Sequence, residues 1–262
     1  MRIETSLYPG GTDHVVTMSY DDGTIHDRRL VEIFDQYGVR GTFHLNAGAL
    51  GGEKHVAPEE ITTLYRNHEV SSHTLTHPSP TRLPNEAVVY ECMEDRRRLE
   101  ALCGYPVRGM SYPYGDYDER TIAVFRACGM EYSRTTKGTG SFDFPSDPLL
   151  WHPTCHHCDR LLDRVDAFFK AKGDRLLYVW GHSYEFDANQ NWDLMEEFCK
   201  RVSGRDNVWF ATNIEILDYR AAQRNLRFGA DCRMIYNPSA IDVWVRAAGE
   251  KIVIPAGKTV QL

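Results

Sequence analysis

The feature that most constrains this chain is a regular alternation of apolar, β-branched runs with helical patterns between residues 14 and 226. The predicted strands are His14–Tyr20, Arg40–Asn46, Glu69–Ser72, Val107–Ser111, Met130–Thr135, Leu176–Gly181 and Val208–Thr212. The predicted helices are Asp27–Tyr37, Pro58–Asn67, Asn85–Cys103, Asp118–Cys128, Asp159–Lys172, Asn191–Ser203 and Ile214–Leu226. Repeated strand–helix units predict an α/β fold with a parallel sheet and crossover helices.

Two architectures satisfy this alternation, a (β/α) barrel and an open doubly wound sheet. No Gly-x-Gly-x-x-Gly follows the first predicted strand, which weakens the dinucleotide-binding form of the open sheet. We therefore favour a barrel over residues 1–226. After Leu226, short strand-like runs separated by proline and glycine turns predict a small β appendix over residues 227–262.

Composition excludes some classes of protein. The chain has 262 residues, and its hydrophobic fraction of 42% is enough to build a proper core. The net charge of -7 argues against nucleic acid or an anionic membrane as the main partner. No apolar run reaches the length of a membrane-spanning helix, and the first ten residues lack an apolar signal core. These features, with seven scattered cysteines that suggest reduced thiols, lead us to expect a cytoplasmic protein.

Two short runs carry the chemistry. Ser19-Tyr20-Asp21-Asp22-Gly23 ends the first strand, and His73-Thr74-Leu75-Thr76-His77 follows the third. Each run alone has an ordinary explanation, as a turn or as a solvated histidine pair. Parallel strands, however, bring their carboxyl ends to one rim, and the two runs together supply a carboxylate, two imidazoles and a spare carboxylate. Three protein ligands with an open position are typical of a catalytic metal, so the runs predict a metal-assisted hydrolase.

Three further segments place unusual residues on the same rim. Tyr112-Pro113-Tyr114-Gly115 follows the fourth strand, a long loop with Trp151 and His156 follows the fifth, and His182 follows the sixth. The run Cys155-His156-His157-Cys158 resembles half of a structural zinc site, but no second pair completes it. We expect this loop to roof the site, with Trp151 as a sugar-stacking or packing surface. Pro113, Trp151 and His156 are the candidate substrate-binding residues.

In this order, the runs resemble the motifs of the polysaccharide deacetylase family, the NodB-homology carbohydrate esterases. The family's Thr-Phe-Asp-Asp-Gly corresponds to Ser19–Gly23, and its His-Ser/Thr-x-x-His is matched fully by His73–His77. Its Arg-x-Pro-Tyr-Gly is matched at Pro113–Gly115, and its final histidine motif resembles Leu177–His182. The resemblance covers residues 14–212 and implies a distorted (β/α)7 barrel, in agreement with the strand count.

The resemblance also implies roles for individual residues. Asp21 would be the general base, and His182 would be the general acid for the leaving amine. Asp22, His73 and His77 would hold a divalent metal, zinc first, with cobalt, nickel or manganese as alternatives. The backbone N–H of Tyr114 would help to bind the oxyanion. The implied reaction is the removal of acetyl groups from N-acetylated sugars, whether polysaccharides or oligosaccharides.

The chain departs from the family pattern at two motifs. Ser111 stands where the family has the arginine that pairs with the base, and Arg108 lies too early in its strand to replace it. We therefore expect the carboxyl of Asp21 to lack an influence that lowers its pKa. Leu150 stands where the fourth motif has its second aspartate, which leaves Asp147 and His156 as candidate partners of His182.

Two other functions fit the sequence. One is hydrolysis of another non-peptide C–N bond, in an allantoin-like or cyclic imide substrate. The other is a carbohydrate-binding protein with a vestigial site, to which the β appendix gives slight support. The long loop from Thr136 to His157 carries Phe142, Phe144, Trp151 and the His156–His157 pair, enough bulk to close over the metal. We therefore expect a preference for short oligosaccharides or another small amide over insoluble polymers.

Overall fold

The computed structural model describes residues 3–262, and its strands and helices alternate through most of the chain. The strands are β1 (Ile3–Glu4), β2 (His14–Asp21), β3 (Gly41–Leu45), β4 (Glu69–Ser72), β5 (Gly109–Ser111), β6 (Tyr132–Arg134), β7 (Cys155–His156), β8 (Arg175–His182), β9 (Val208–Phe210), β10 (Arg227–Phe228), β11 (Met234–Tyr236), β12 (Val243–Ala247), β13 (Glu250–Ile254) and β14 (Thr259–Gln261). The helices are α1 (Asp27–Tyr37), α2 (Ile61–Leu64), α3 (Asn85–Cys103), α4 (Glu119–Ala127), α5 (Leu161–Phe168), α6 (Tyr184–Ala188), α7 (Trp192–Val202) and α8 (Asn213–Asn225).

An eight-stranded parallel sheet forms the body of the protein. Its strand order is β6-β5-β4-β3-β2-β8-β7, and β9 also pairs with β2. All eight residues of β2 are buried, because the strand lies at the centre of the sheet with helices packed around it. The predicted distorted (β/α)7 barrel is therefore confirmed, as a curled parallel sheet surrounded by helices.

The segment after β6 crosses the gap between the two outer strands of the sheet. The backbone of Trp151 exchanges hydrogen bonds of 3.0 Å with Ser133 and Thr135, next to β6. Three residues later, the N–H of Thr154 donates to the carbonyl of Tyr178 in β8 at 2.8 Å. This segment and β7 were not predicted as sheet, because two-residue pairings leave no periodic pattern in the sequence.

The helices agree with the sequence where the pattern is long. Helices α1 and α3 have their predicted bounds, and each ends at a glycine in the left-handed region, Gly38 at φ 67° and Gly104 at φ 76°. The predicted helix from Pro58 to Asn67 is shorter, because a 3-10 turn precedes α2. Helix α6, five residues long, was missed, and it proves to matter for the site.

The C-terminal region packs on the barrel through α8. Two antiparallel sheets of three strands each, β1-β12-β13 and β10-β11-β14, make up this region. Strand β1 comes from the start of the chain, so the appendix is not built from residues 227–262 alone. Ala222 and Leu226 share an apolar cluster with Ile235, Val243 and Ile254. Met1 and Arg2, the first residues of the predicted 1–226 domain, lie outside the described residues.

Within residues 3–262, none of the helices combines the length and the apolar character that crossing a membrane requires.

Candidate active site

The carboxyl ends of β2, β4, β5 and β8 bring the predicted polar residues to one rim. Asp21 is the last residue of β2, and its register partners are His44 in β3 and His182 in β8. Because ligands of parallel α/β folds bind at the carboxyl ends of strands, this rim is the expected position of an active site.

The three predicted metal ligands come together. The Nε2 atoms of His73 and His77 lie 3.7 and 3.9 Å from Oδ1 of Asp22. One ligand atom from each residue lies within 4.8 Å of the others. Asp22 and His77 both adopt the left-handed region, with φ of 78° and 59°. That conformation costs a non-glycine residue about 1–3 kcal/mol of conformational free energy, and such strain concentrates at functional sites.

The hydrogen bonds of His73 suit a metal ligand. Its Nδ1 lies 2.9 Å from the carbonyl oxygen of Ser111 and 2.7 Å from the hydroxyl of the same residue. That hydroxyl donates to Asp21, so Nδ1 is assigned as the N–H donor and Nε2 keeps its lone pair toward Asp22. Burial lowers the pKa of His73, which favours the neutral ring that binds metal. These residues fit a divalent cation.

A buried arginine replaces the one missing from the third motif. Arg134, at the end of β6, forms an ion pair with Asp21, and neither side chain is more than 3% exposed. The guanidinium also lies 4.3 Å from the centre of the Trp180 ring. Burial by itself would raise the pKa of Asp21, but Arg134, with smaller contributions from nearby histidines, holds it well below its usual range. The expectation that Asp21 lacks such a cation is therefore wrong. Arg108 pairs instead with Glu131 and Asp218.

His182 has a partner that sequence reasoning missed. Its Nδ1 lies 3.3 Å from Oε1 of Glu185, and its backbone N–H donates to Oε2 at 3.2 Å. Burial alone would lower the pKa of His182, but Glu185, with Asp21 and Asp22, raises it above its ordinary value. The structure excludes Asp147 as the partner, because Asp147 caps the turn at Leu149 and pairs with Arg126.

His156 reaches this pair only indirectly. Its Nε2 lies 3.1 Å from Oε2 of Glu185, while its ring and that of His182 are 6.5 Å apart. The signal for Glu185 was its spacing, three residues after His182. Glu185 lies in the first turn of α6, which begins two residues after His182 at the end of β8.

Tyr114 lies beside the candidate metal ligands in a 3-10 turn. Its φ is 59°, its ring centre is 4.4 Å from that of His77, and its side chain is 71% exposed. Pro113 starts the same turn and is buried. Pro113 therefore shapes the turn rather than offering a surface to substrate, which corrects its assignment as a substrate-binding residue.

The long loop does not roof the metal site. Trp151 is 2% exposed, with its ring 5.8 Å from Tyr132 and 5.2 Å from Tyr178. Phe142 packs on Phe168, and Phe144 stacks on Tyr8. The sugar-stacking role of Trp151 is therefore wrong and its packing role is confirmed, because its ring fills the barrel core where the loop crosses from β6 to β8.

Open cavities flank the metal ligands instead. One, of about 600 Å³, is lined by Asp22, Lys54 and Tyr184. Another, of about 780 Å³, lies beside Tyr114 and Asp116. The aromatic side chains of the long loop, which were expected to enclose the site, therefore pack elsewhere.

Comparison with known proteins finds similar sequences for the first half of the chain. Residues 9–133 match the family model described as polysaccharide deacetylase. Chitin deacetylase 1 of Cryptococcus neoformans var. grubii is 27% identical over 154 residues, which cover 57% of this chain and 32% of that protein. A Bacillus subtilis relative is 22% identical over 135 residues, 50% of this chain and 48% of its own length. The chain thus spans less than half the length of these curated relatives.

Solved structures extend the likeness to most of the barrel. A Mycobacterium smegmatis protein assigned to the polysaccharide deacetylases gives a TM-score of 0.64 at 17% identity, over 83% of this chain and 93% of its own. A family 4 carbohydrate esterase from Streptomyces lividans, in complex with acetate, gives 0.52 at 15% identity, over 75% and 91%. At such identities the likeness shows the fold alone. Together with the motifs and the family model, it confirms that this chain resembles the polysaccharide deacetylases and has their distorted (β/α) barrel.

Proposed function

We propose that this protein is a metal-dependent hydrolase that removes acetyl groups from N-acetylated sugars. One observation carries the proposal most directly. Asp21 and His182 are register partners on adjacent strands beside the metal ligands, and each has a partner of opposite charge. Arg134 lowers the pKa of the Asp21 carboxyl and Glu185 raises the pKa of the His182 imidazole, which favours the forms that a base and an acid need at the same pH.

The proton transfers follow from these pairs. Asp21, held as a carboxylate by Arg134, accepts a proton from the attacking water. His182, whose pKa Glu185 raises, donates a proton to the nitrogen of the departing amine. The amine cannot leave as an anion near neutral pH, so this second transfer is needed to break the C–N bond.

Asp22, His73 and His77 would hold the cation through one carboxylate oxygen and two Nε2 atoms. When bound, a divalent metal supplies Lewis-acid polarisation of the acetyl carbonyl and lowers the pKa of water beside it. A set of one oxygen and two nitrogen ligands suits zinc, and cobalt, nickel and manganese are the alternatives to test. We assign the Tyr114 backbone N–H to the oxyanion, where one such donor is worth roughly 3–4 kcal/mol.

The substrate extends, in our proposal, beyond a single sugar. The cavities beside Asp22 and beside Tyr114 leave room for units on both sides of the reacting one. We expect kcat/KM for acetate release to rise along a series from N-acetylglucosamine to its pentamer, at equal molar acetyl content. Equal kcat/KM values for monomer and pentamer would instead support the expected preference for short oligosaccharides or small amides.

The test of the function combines metal analysis with acetate release. The wild-type protein should bind one divalent ion per chain and release acetate from N-acetylglucosamine oligomers. The double variant His73→Ala, His77→Ala should lose both metal and activity, while Asp21→Asn should lose activity and keep the metal. Stoichiometric metal in the double variant would refute the ligand assignment. A metal-loaded wild type that binds the oligomers without releasing acetate would refute the reaction.

A further inference from the structure

Three histidines converge on one carboxylate beside the site. Oε2 of Glu185 lies 3.1 Å from Nε2 of His156 and 3.2 Å from Nε2 of His157. Its other oxygen lies 3.3 Å from Nδ1 of His182. Glu185 comes from α6, His156 from β7, and His182 from the end of β8, so three separate elements meet at one side chain.

The surroundings show why this carboxylate is ionised. Burial would raise the pKa of Glu185, but its contacts with His156 and His182 hold that pKa well below the ordinary range. His157 is fully buried, and burial lowers its pKa to about 3, so it faces the carboxylate as a neutral ring. An ionised carboxylate is therefore the common partner of the three imidazoles.

The other groups facing His182 do not compete for its Nδ1. The carboxylates of Asp21 and Asp22 act on the ring from β2. The rings of Trp180 and Tyr184 flank it at 5.8 and 5.2 Å. Among the ion pairs of residues 3–262, Glu185 alone supplies an oxygen to Nδ1.

We propose that Glu185 is the positioning residue of His182, and that His156 fixes Glu185 in turn. With Nδ1 paired to Oε1, the proton for the amine is carried by Nε2, at the other side of the ring. With Oε2 shared between His156 and the His182 backbone N–H, the carboxylate cannot turn away. The inference rests on the proposed function, because it concerns the acid of that reaction.

The same atoms allow one competing arrangement. Ligand atoms of His156, His182 and Glu185 lie within 4.8 Å of one another, so a second cation could take the place of the proton network. A cation there would occupy His182 and remove it as a proton donor. Metal stoichiometry separates the two arrangements.

The kinetic test compares Glu185→Gln and Glu185→Asp with wild type, using Glu196→Gln as the control. Glu196 is an exposed carboxylate on α7, 3.7 Å from Arg29 and outside the site. Glu185→Gln should lower kcat by about 10–100-fold, since it leaves the acid in place but unoriented, while KM changes little. Its basic limb in the kcat–pH profile should move to lower pH, and Glu185→Asp should recover part of both effects. Every variant should keep one metal ion per chain.

Three results would overturn the inference. These are an unchanged basic limb in Glu185→Gln, equal losses in Glu196→Gln, or two ions per wild-type chain with one lost in Glu185→Gln. A test without turnover uses NMR titration of the imidazoles in the zinc-loaded protein, with His182 assigned from a His182→Gln sample. The His182 pKa should fall in Glu185→Gln, and no fall refutes the positioning role. If the wild type releases no acetate, the proposed function fails, and this titration still decides the role of Glu185.

Discussion

The two halves of the candidate site, the side of the proposed base and the side of the proposed acid, differ in burial and in the elements that carry them. On the base side, Asp21 and Arg134 stand on strands β2 and β6, and neither side chain is more than 3% exposed. On the acid side, the side chains of His182 and Glu185 are 21% and 25% exposed, and Glu185 stands on the short helix α6. Breaking a buried ion pair costs much of the free energy of unfolding, because it leaves one charge buried without a partner. A partly exposed pair is screened by solvent, so breaking it costs less. We therefore expect the base side to control stability as well as activity, and the acid side mainly activity.

Each half is also anchored by a buried carboxyl behind it. Asp95 accepts hydrogen bonds from Ser72 and from the backbone of Ala47, beside the first metal histidine. Asp27 accepts hydrogen bonds from Ser183 and from Tyr65, beside His182. Burial raises the pKa of each carboxyl to about 7. Both carboxyls therefore titrate near neutral pH in the folded protein.

The largest expected effect comes from Arg134→Met, which breaks the base side. Without the guanidinium, burial dominates and the pKa of Asp21 rises, so the base is protonated near neutral pH. Leaving one partner of a buried pair uncompensated costs about 3–5 kcal/mol. We expect a lower midpoint in urea unfolding, a drop in kcat/KM toward the upper end of ~10²–10⁴-fold, and an acidic limb moved to higher pH.

Arg134→Lys is the matched control, because it keeps a cation but loses the planar guanidinium over Trp180. The Arg134→Lys variant should lie between wild type and Arg134→Met, both in the midpoint of urea unfolding and in the pH of the acidic limb. An acidic limb that stays in place in Arg134→Met would show that another group sets the pKa of Asp21.

Asp21→Asn removes the base but keeps the shape of the side chain. We expect kcat/KM to fall by ~10²–10⁴-fold, the usual contribution of a general base, with one metal ion retained. The acidic limb of the pH profile should disappear. Arg134 is left without its counter-ion, so the variant should also unfold at lower urea than wild type. Near-normal turnover would remove Asp21 from the mechanism.

His182→Ala removes the acid and should separate activity from stability. The expected loss is within ~10²–10⁴-fold in kcat, with loss of the basic limb. Because the pair with Glu185 is partly exposed, the free energy of unfolding should change by less than in Arg134→Met. A stability loss equal to that of Arg134→Met would contradict the contrast between the two halves.

The smallest expected effect concerns Asp27→Asn and the pH dependence of stability. The folded-state pKa of Asp27 is raised to about 7, so its contribution to stability is complete below about pH 4 and is lost as pH rises through about 7. Wild type should therefore lose about 2–3 kcal/mol more than Asp27→Asn between pH 5 and pH 8. Urea unfolding at several pH values measures this difference, and parallel curves for the two proteins would contradict it.

The sequence allowed the rim to be predicted where residues are close together along the chain. Asp21, Asp22, His73 and His77 sit in two short runs, each next to a recognisable strand. Arg134 was not predicted as a site residue, because no motif surrounds it. A charged residue at the end of a predicted apolar strand was nevertheless a usable signal. The sequence could not decide between sugar stacking and packing for Trp151, because its role depends on pairings with β6 and β8 that no local pattern shows.

The order of the longer strands and helices, the glycine ends of α1 and α3, and the candidate metal ligands could all be predicted from the sequence itself. They depend on periodicity and on residues within a few positions of one another. The tertiary structure alone decided that Arg134 pairs with Asp21 across 113 positions of sequence, and that β7 and α6 bring His156 and Glu185 to His182. The curl of the sheet and the burial of these side chains determine which residues become partners. Such long-range contacts form only when the whole barrel closes around its core.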